Sequence, residues 1–115
     1  VTFLDIPPRQ TEASFQKQVV EVAEMLGWRV RHDRATNAPR RCATCGAERR
    51  LPRNDAGYPD LLLIRRPRIL WLELKSDRGT VTPDQRAMLE DLRACGQEAY
   101  VIRPRQFEAL VKVLR

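Results

Sequence analysis

The sequence predicts an α/β domain with its elements in the order α-β-β-β-α-β-α. Three observations lead there. Two stretches carry apolar residues at helical spacing behind recognisable caps. Two neighbouring segments, 60–64 and 69–75, are apolar on both faces, as strands of a sheet covered on both sides would be. A strand and a last helical stretch follow the second capped helix.

The first helix is expected over Thr11–Leu26, where Phe15, Val19, Ala23 and Leu26 recur on one face with Val22 beside them. Thr11 suits its N-cap and Gly27 its stop. Ile6-Pro7-Pro8 ahead of it reads as extended or turn-like. Trp28–His32 reads as a short strand with Trp28, Val30 and His32 on one side. From Asp33 to Gly57 the chain turns polar, long for a structureless loop in a compact domain, and a hairpin tipped by Cys42–Cys45 is the alternative. Asp60–Ile64 and Ile69–Lys75 are strands joined by the basic turn Arg65-Arg66-Pro67-Arg68. Thr82-Pro83-Asp84-Gln85 is a helix start with Thr as N-cap, Pro first and Gln in the capping-box position. Met88, Leu89, Leu92 and Cys95 follow on one face, which makes Cys95 a small buried hydrophobe, and Gly96 ends the helix. Ala99–Ile102 is a strand, and Pro104 opens a final helix with Phe107, Leu110, Val111 and Leu114 inward.

The bulk numbers fit this reading. With 115 residues, 43% apolar and 31% charged, the chain suits one domain spanning 1–115, with a basic, Cys-containing insertion at about 33–57. No apolar run approaches the ~20 residues that cross a bilayer, and Val1–Asp5 lacks the pattern of a signal peptide. The expectation is a cytoplasmic protein with no membrane partner. Its net charge of +6 is concentrated. Arg29, Arg31, Arg34, Arg40, Arg41, Arg49, Arg50 and Arg53 face only Asp33 and Glu48 in that stretch, which therefore carries the whole excess. Such a segment suits a polyanion, because each neutralised phosphate releases counterions and guanidinium fits phosphate oxygens.

The strand Ile69–Lys75 holds charges where a covered sheet should have none. Side chains alternate, so Leu70, Leu72 and Leu74 point one way while Trp71, Glu73 and Lys75 point the other. Buried Glu and Lys need a partner or an ion. An ion pair at an exposed sheet edge would satisfy this strand alone. Asp60, however, begins the preceding strand, and hairpin pairing would set its carboxylate near that of Glu73. Two converging carboxylates repel unless one is protonated or a cation lies between them. Hard cations such as Mg²⁺ take oxygen ligands and need only one or two protein carboxylates. Lys75, on the same face, would then orient water or offset charge on a phosphate.

Pro59-Asp60, twelve intervening residues and Glu73-Leu74-Lys75 resemble the PD-(D/E)XK nuclease signature. The wider context is similar to the VRR-NUC branch of that superfamily, found in phages, bacteria and DNA-repair nucleases. Its features here are Glu12 opening a helix, Gly57-Tyr58-Pro59-Asp60-Leu61, Glu73-Leu74-Lys75, and Gly79 followed by Thr82-Pro83-Asp84-Gln85. The resemblance implies a restriction-endonuclease-like core, a mixed central sheet flanked by helices. It implies that Asp60 and Glu73, with Glu12 directly or through water, bind Mg²⁺ or Mn²⁺, that Lys75 is the catalytic lysine, and that Gln85 lies near the active site. It also implies an endonuclease acting on DNA, with branched substrates such as a Holliday junction or flap favoured, working as a homodimer in a bacterial or phage-infected cell.

Cys42-Ala43-Thr44-Cys45-Gly46 has the form of a zinc knuckle, but structural zinc needs four ligands. His32, Cys95 or a second subunit would have to supply the rest; otherwise these are free thiols on a basic loop. Either way Arg40, Arg41, Arg49, Arg50 and Arg53 are expected to contact DNA. Two rivals to the nuclease are a non-catalytic DNA-binding module on the same scaffold and a zinc-stabilised interaction protein. The second leaves the acidic cluster unexplained.

Overall fold

The computed structural model describes residues 10–32, 40–49 and 57–115. The lead-in Ile6-Pro7-Pro8, the basic residues Arg34, Arg50 and Arg53, and Asp33 lie outside them. Helix α1 runs Glu12–Met25, with Thr11 accepting from the Ser14 N–H as N-cap. It is followed by β1 (Arg29–Arg31), a short β2–β3 hairpin (Arg40–Arg41 and Glu48–Arg49), β4 (Leu61–Arg65) and β5 (Arg68–Leu74). Then come α2 (Pro83–Ala94), β6 (Glu98–Ile102), a single 3-10 turn over Pro104–Gln106, and α3 (Phe107–Leu114). The expected α-β-β-β-α-β-α order is present. The hairpin stands in the stretch between β1 and β4, and Pro104, expected to open the last helix, instead opens the 3-10 turn, with α3 starting at Phe107.

The four-stranded sheet has the order β1-β4-β5-β6. β1, β4 and β5 pair antiparallel, and β6 joins β5 in parallel, so the sheet is mixed. Returning a strand parallel to β5 needs a crossover, and α2 provides it. Leu61 faces Leu72 and Leu63 faces Leu70 across the β4–β5 pair. These residues and Leu74 meet Phe15, Val19 and Ala23 of α1, Trp28, and Leu110 and Leu114 of α3 in one core. The second face is covered only in part. α2 lies over β6 and buries Leu89, whereas Ile64 and Ile69 remain 36% and 40% exposed. Full cover on both faces was the expectation from their apolar pattern, but one twelve-residue helix does not reach the β4–β5 turn.

One further expectation is corrected. Cys95 is exposed, because α2 ends at Ala94 and Cys95 is its cap, where Gly96 at φ +79° turns the chain away. Arg65 and Arg68 of the basic turn are built into the fold. The Arg65 guanidinium donates to the carbonyls of Leu26 (2.9 Å) and Leu114 (2.8 Å), where α1 and α3 end. It also stacks 4.5 Å from the Trp28 ring centre. Helix C-termini present unsatisfied carbonyls and partial negative charge, and a cation answers both. The Trp28 indole N–H donates to the same Leu114 carbonyl at 2.8 Å. Arg68 forms a two-pronged pair with Glu98 at 2.9 and 3.0 Å. Among the described residues no helix is long and apolar enough to cross a membrane.

Gly57 links the start of β4 to α2. Its φ is +96°, and a Cβ there would sit 2.6 Å from the Asp84 carbonyl oxygen. Gly57→Ala is therefore expected to destabilise the fold by about 2 kcal/mol or more, from strained backbone and a backbone clash together. A urea unfolding curve checks this, and an unchanged midpoint would contradict it.

Candidate active site

The site lies where β5 ends and β4 begins. Asp60 precedes β4, directly beyond the Leu61–Leu72 pair, which sets it across from Glu73. Its Oδ2 accepts the Leu74 backbone N–H at 2.7 Å. Glu73 is the one buried charged residue of those described, 2% exposed. Its Oε1 accepts from the Gln85 side-chain amide at 2.8 Å and lies 3.5 Å from the Lys75 ammonium. Its Oε2 is buried with no partner. Lys75 lies just past β5, yet its N–H still bonds the Ile102 carbonyl at 3.1 Å, so the backbone remains fixed by β6.

Gln85 serves two structures at once. It closes the capping box with Thr82, its Oε1 accepting the Thr82 N–H at 2.9 Å while Thr82 accepts the Gln85 N–H. The amide end then reaches Glu73. A carboxylate deep in the sheet is thus held by the first turn of α2. Glu12, in the first turn of α1, comes to the same place from the other helix and accepts the Ser76 N–H at 3.3 Å.

The electrostatics reflect burial first and crowding of like charge second. Burial, then the Asp60 carboxylate, push the Glu73 carboxyl up to about 7, against the pull of Lys75. Asp60 is also raised, first by burial and further by Glu12, with the Leu74 N–H and Lys75 opposing. Two carboxyls so placed share a proton, or a cation. The unpartnered Glu73 Oε2, beside Asp60, is the observation that fits a divalent cation, with oxygen donors of the kind that hard ions take. Glu12 is tied to the loop after Lys75 through the Ser76 N–H, and its charge reaches Asp60.

Arg103 belongs to the site's framework, which the sequence did not suggest. Its guanidinium donates to the carbonyls of Ser76 and Gly79, both at 2.6 Å, and so fastens the loop that follows Lys75. A lone arginine after a strand carries no pattern that would reveal this.

The basic hairpin brings Arg40 opposite Arg49, and Arg41 opposite Glu48, in backbone register. Arg41 is exposed. Cys42 and Cys45 at its tip are also exposed. Backbone N–H groups of Cys45, then Thr44, aim at the Cys42 sulfur and hold its thiol below the ordinary range.

A mixed sheet with two carboxylates and a lysine converging at the ends of paired strands is the PD-(D/E)XK arrangement. Residues 9–106 match the VRR-NUC domain, and the chain belongs to that family, a family of nuclease domains. No curated protein and no solved structure matches it. Membership implies phosphodiester chemistry on DNA, in a family generally dependent on metal.

The raised Glu73 carboxyl sets a pH dependence for the metal-free protein. Its ordinary value is 4.5 and its folded value about 7, so the folded state holds its proton longer than the unfolded state. The favourable contribution is complete below 4.5 and is lost as pH rises to about 7. Thermal melts in chelator should therefore show declining stability across that window. Glu73→Gln, which keeps the shape without the charge, should flatten the decline. A wild-type melting temperature that rises there, with no difference from the variant, would contradict the assignment.

Proposed function

We propose that the protein is a metal-dependent endonuclease hydrolysing DNA phosphodiester bonds, with Asp60 and Glu73 as ligands of Mg²⁺ or Mn²⁺. The observation that carries this reading is the buried Glu73 Oε2, left without a partner beside Asp60 and 2% exposed as a residue. When bound, the cation supplies Lewis-acid polarisation of a phosphoryl oxygen and lowers the pKa of attacking water. Everything else falls to the chain. Gln85 holds Glu73 Oε1, which leaves Oε2 for the site. Asp60 is aimed by the Leu74 N–H. Lys75, with its ammonium 3.5 Å from Glu73 Oε1, orients water or offsets charge on the phosphoryl oxygens as the transition state forms. Glu12, held at Ser76 N, adds negative charge that strengthens cation binding and can hold a water by hydrogen bonding.

The substrate we infer is branched or otherwise structured DNA, such as a four-way junction or flap. Arg40, Arg41, Arg49, Arg50 and Arg53 would engage its backbone. Support comes from the concentration of positive charge between Arg29 and Arg53. Phosphate contacts of this kind position a protein without reading sequence.

The test is cleavage of a four-way junction, a flap and a matched linear duplex, each with Mg²⁺, Mn²⁺ or chelator. Cleavage should need metal and favour the branched substrates. Asp60→Asn, Glu73→Gln and Lys75→Ala should each lower the rate by about a hundredfold or more while DNA binding persists. Binding without cleavage under both metals would favour the non-catalytic DNA-binding module. Undiminished cutting by the variants would remove the mechanism.

A further inference from the structure

The Cys42–Cys45 hairpin has no part in the carboxylate site, and its tight turn carries the Cys-x-x-Cys-Gly sequence of a metal knuckle. The Cys42 N–H donates to the Ala47 carbonyl at 3.0 Å, and the Gly46 N–H donates to the Cys42 carbonyl at 2.9 Å. These bonds fold the chain tightly between β2 and β3. Gly46 takes φ +71° with nothing within 4 Å of where a Cβ would lie, so the glycine serves the backbone turn and makes room for no neighbour. The N–H groups of Thr44 and Cys45 point at the Cys42 sulfur. Backbone donors to a ligating sulfur are what fix a thiolate's direction at a metal. Residues 41–47 are all exposed, an unusual setting for two cysteines, which are ordinarily among the most buried side chains.

Tetrahedral zinc requires four ligands, and structural sites are built from Cys and His. The chain has three cysteines and one histidine. All four lie among the described residues, yet no three metal-binding groups come together there. Cys95 caps the end of α2 and His32 follows β1, both exposed. One chain therefore presents two soft ligands at an exposed tip, and its other Cys and His residues do not join them. A second copy presents the same pair.

We propose that Cys42 and Cys45 are half of a structural zinc site completed by the same two residues of a second copy of this chain. One Zn²⁺ would then be held by four thiolates at a twofold axis between two hairpins. Such an interface is self-complementary, as twofold contacts must be. Zn²⁺ with four thiolates carries two excess negative charges, and the strands of each hairpin contain Arg40, Arg41 and Arg49 against Glu48 alone. That positive charge offsets the cluster's own. Without the metal the same arginines repel one another, so association through this face depends on zinc. The proposal is independent of the nuclease reading, since it uses none of Asp60, Glu73 and Lys75.

The experiment is titration of the reduced, chelator-stripped full chain with Co²⁺ and then Zn²⁺, followed by absorption and by light scattering. Expected are sulfur-to-cobalt charge transfer and intense tetrahedral d–d bands saturating at half an equivalent per chain, with displacement by Zn²⁺. The scattering mass should double with metal and return with chelator. Cys42→Ser and Cys45→Ser should each abolish both signals, whereas Cys95→Ser and His32→Ala should leave them. Saturation at one equivalent with a monomer mass would overturn the proposal in favour of ligands within one chain. So would the absence of charge transfer, a scattering mass that metal leaves unchanged, or loss of the site in Cys95→Ser. Cobalt at the carboxylate site has no sulfur ligand and gives no such charge transfer, so this result and the cleavage result stand or fall separately.

Discussion

The arrangement depends on one electrostatic conflict, two carboxyl groups brought together at the end of a sheet. Antiparallel pairing of β4 with β5 puts Leu61 opposite Leu72, and one residue further Asp60 has to meet Glu73. The leucines fix the register, because a slip of one residue would turn Leu61, Leu63, Leu70 and Leu72 out of the core. Hydrophobic packing thus enforces the approach of like charges. Neither carboxylate can withdraw, since Asp60 is bonded to Leu74 N and Glu73 to Gln85. Burial raises both carboxyls first, and the neighbouring Asp60 carboxylate raises Glu73 further.

The surrounding elements hold that conflict in place. α2 contributes through its own N-terminal cap, as Gln85 closes the capping box and reaches Glu73 with the same side chain. α1 delivers Glu12 to Ser76 N, and Arg103, just past β6, clamps Ser76 and Gly79. The loop after Lys75 is therefore fastened both from α1 and from the chain just past β6. At the opposite end of the sheet Arg65 joins the ends of α1 and α3 through Leu26 and Leu114. Local helix-end chemistry thereby becomes long-range positioning.

Much of this was legible in the sequence because it obeys local rules. Phe15, Val19 and Ala23 at helical spacing, the Thr82-Pro83-Asp84-Gln85 cap and the alternation of Leu70, Leu72 and Leu74 each report backbone geometry directly. Glu73 stood out because a charge on a covered strand needs a reason. What stayed hidden depends on contacts distant in sequence. Arg65 and Arg103 look like any surface arginine until the helix ends and the 76–79 loop are set beside them. Cys95 was misread because helical spacing was extended one residue beyond the helix, onto the cap. The exposure of Ile64 and Ile69 was missed because strand apolarity reports a tendency to be covered, while the reach of α2 decides whether cover arrives.

The chain's potential metal ligands also divide by chemistry. Asp60 and Glu73 offer hard oxygen, Glu73 buried and Asp60 half-buried, in a register set by leucines. Cys42 and Cys45 offer sulfur on an exposed two-strand hairpin whose own turn sets their geometry. Softness separates the two, since carboxylates suit Mg²⁺ or Mn²⁺ and thiolates select zinc. Rigidity separates them as well. A carboxylate pair held by a core keeps its mutual repulsion whether or not an ion is present, and so remains prepared for one. A thiolate pair on an exposed turn needs the ion to bring its remaining ligands together. The first suits a cation that must leave room for water and phosphate, and the second a cation whose whole coordination is closed.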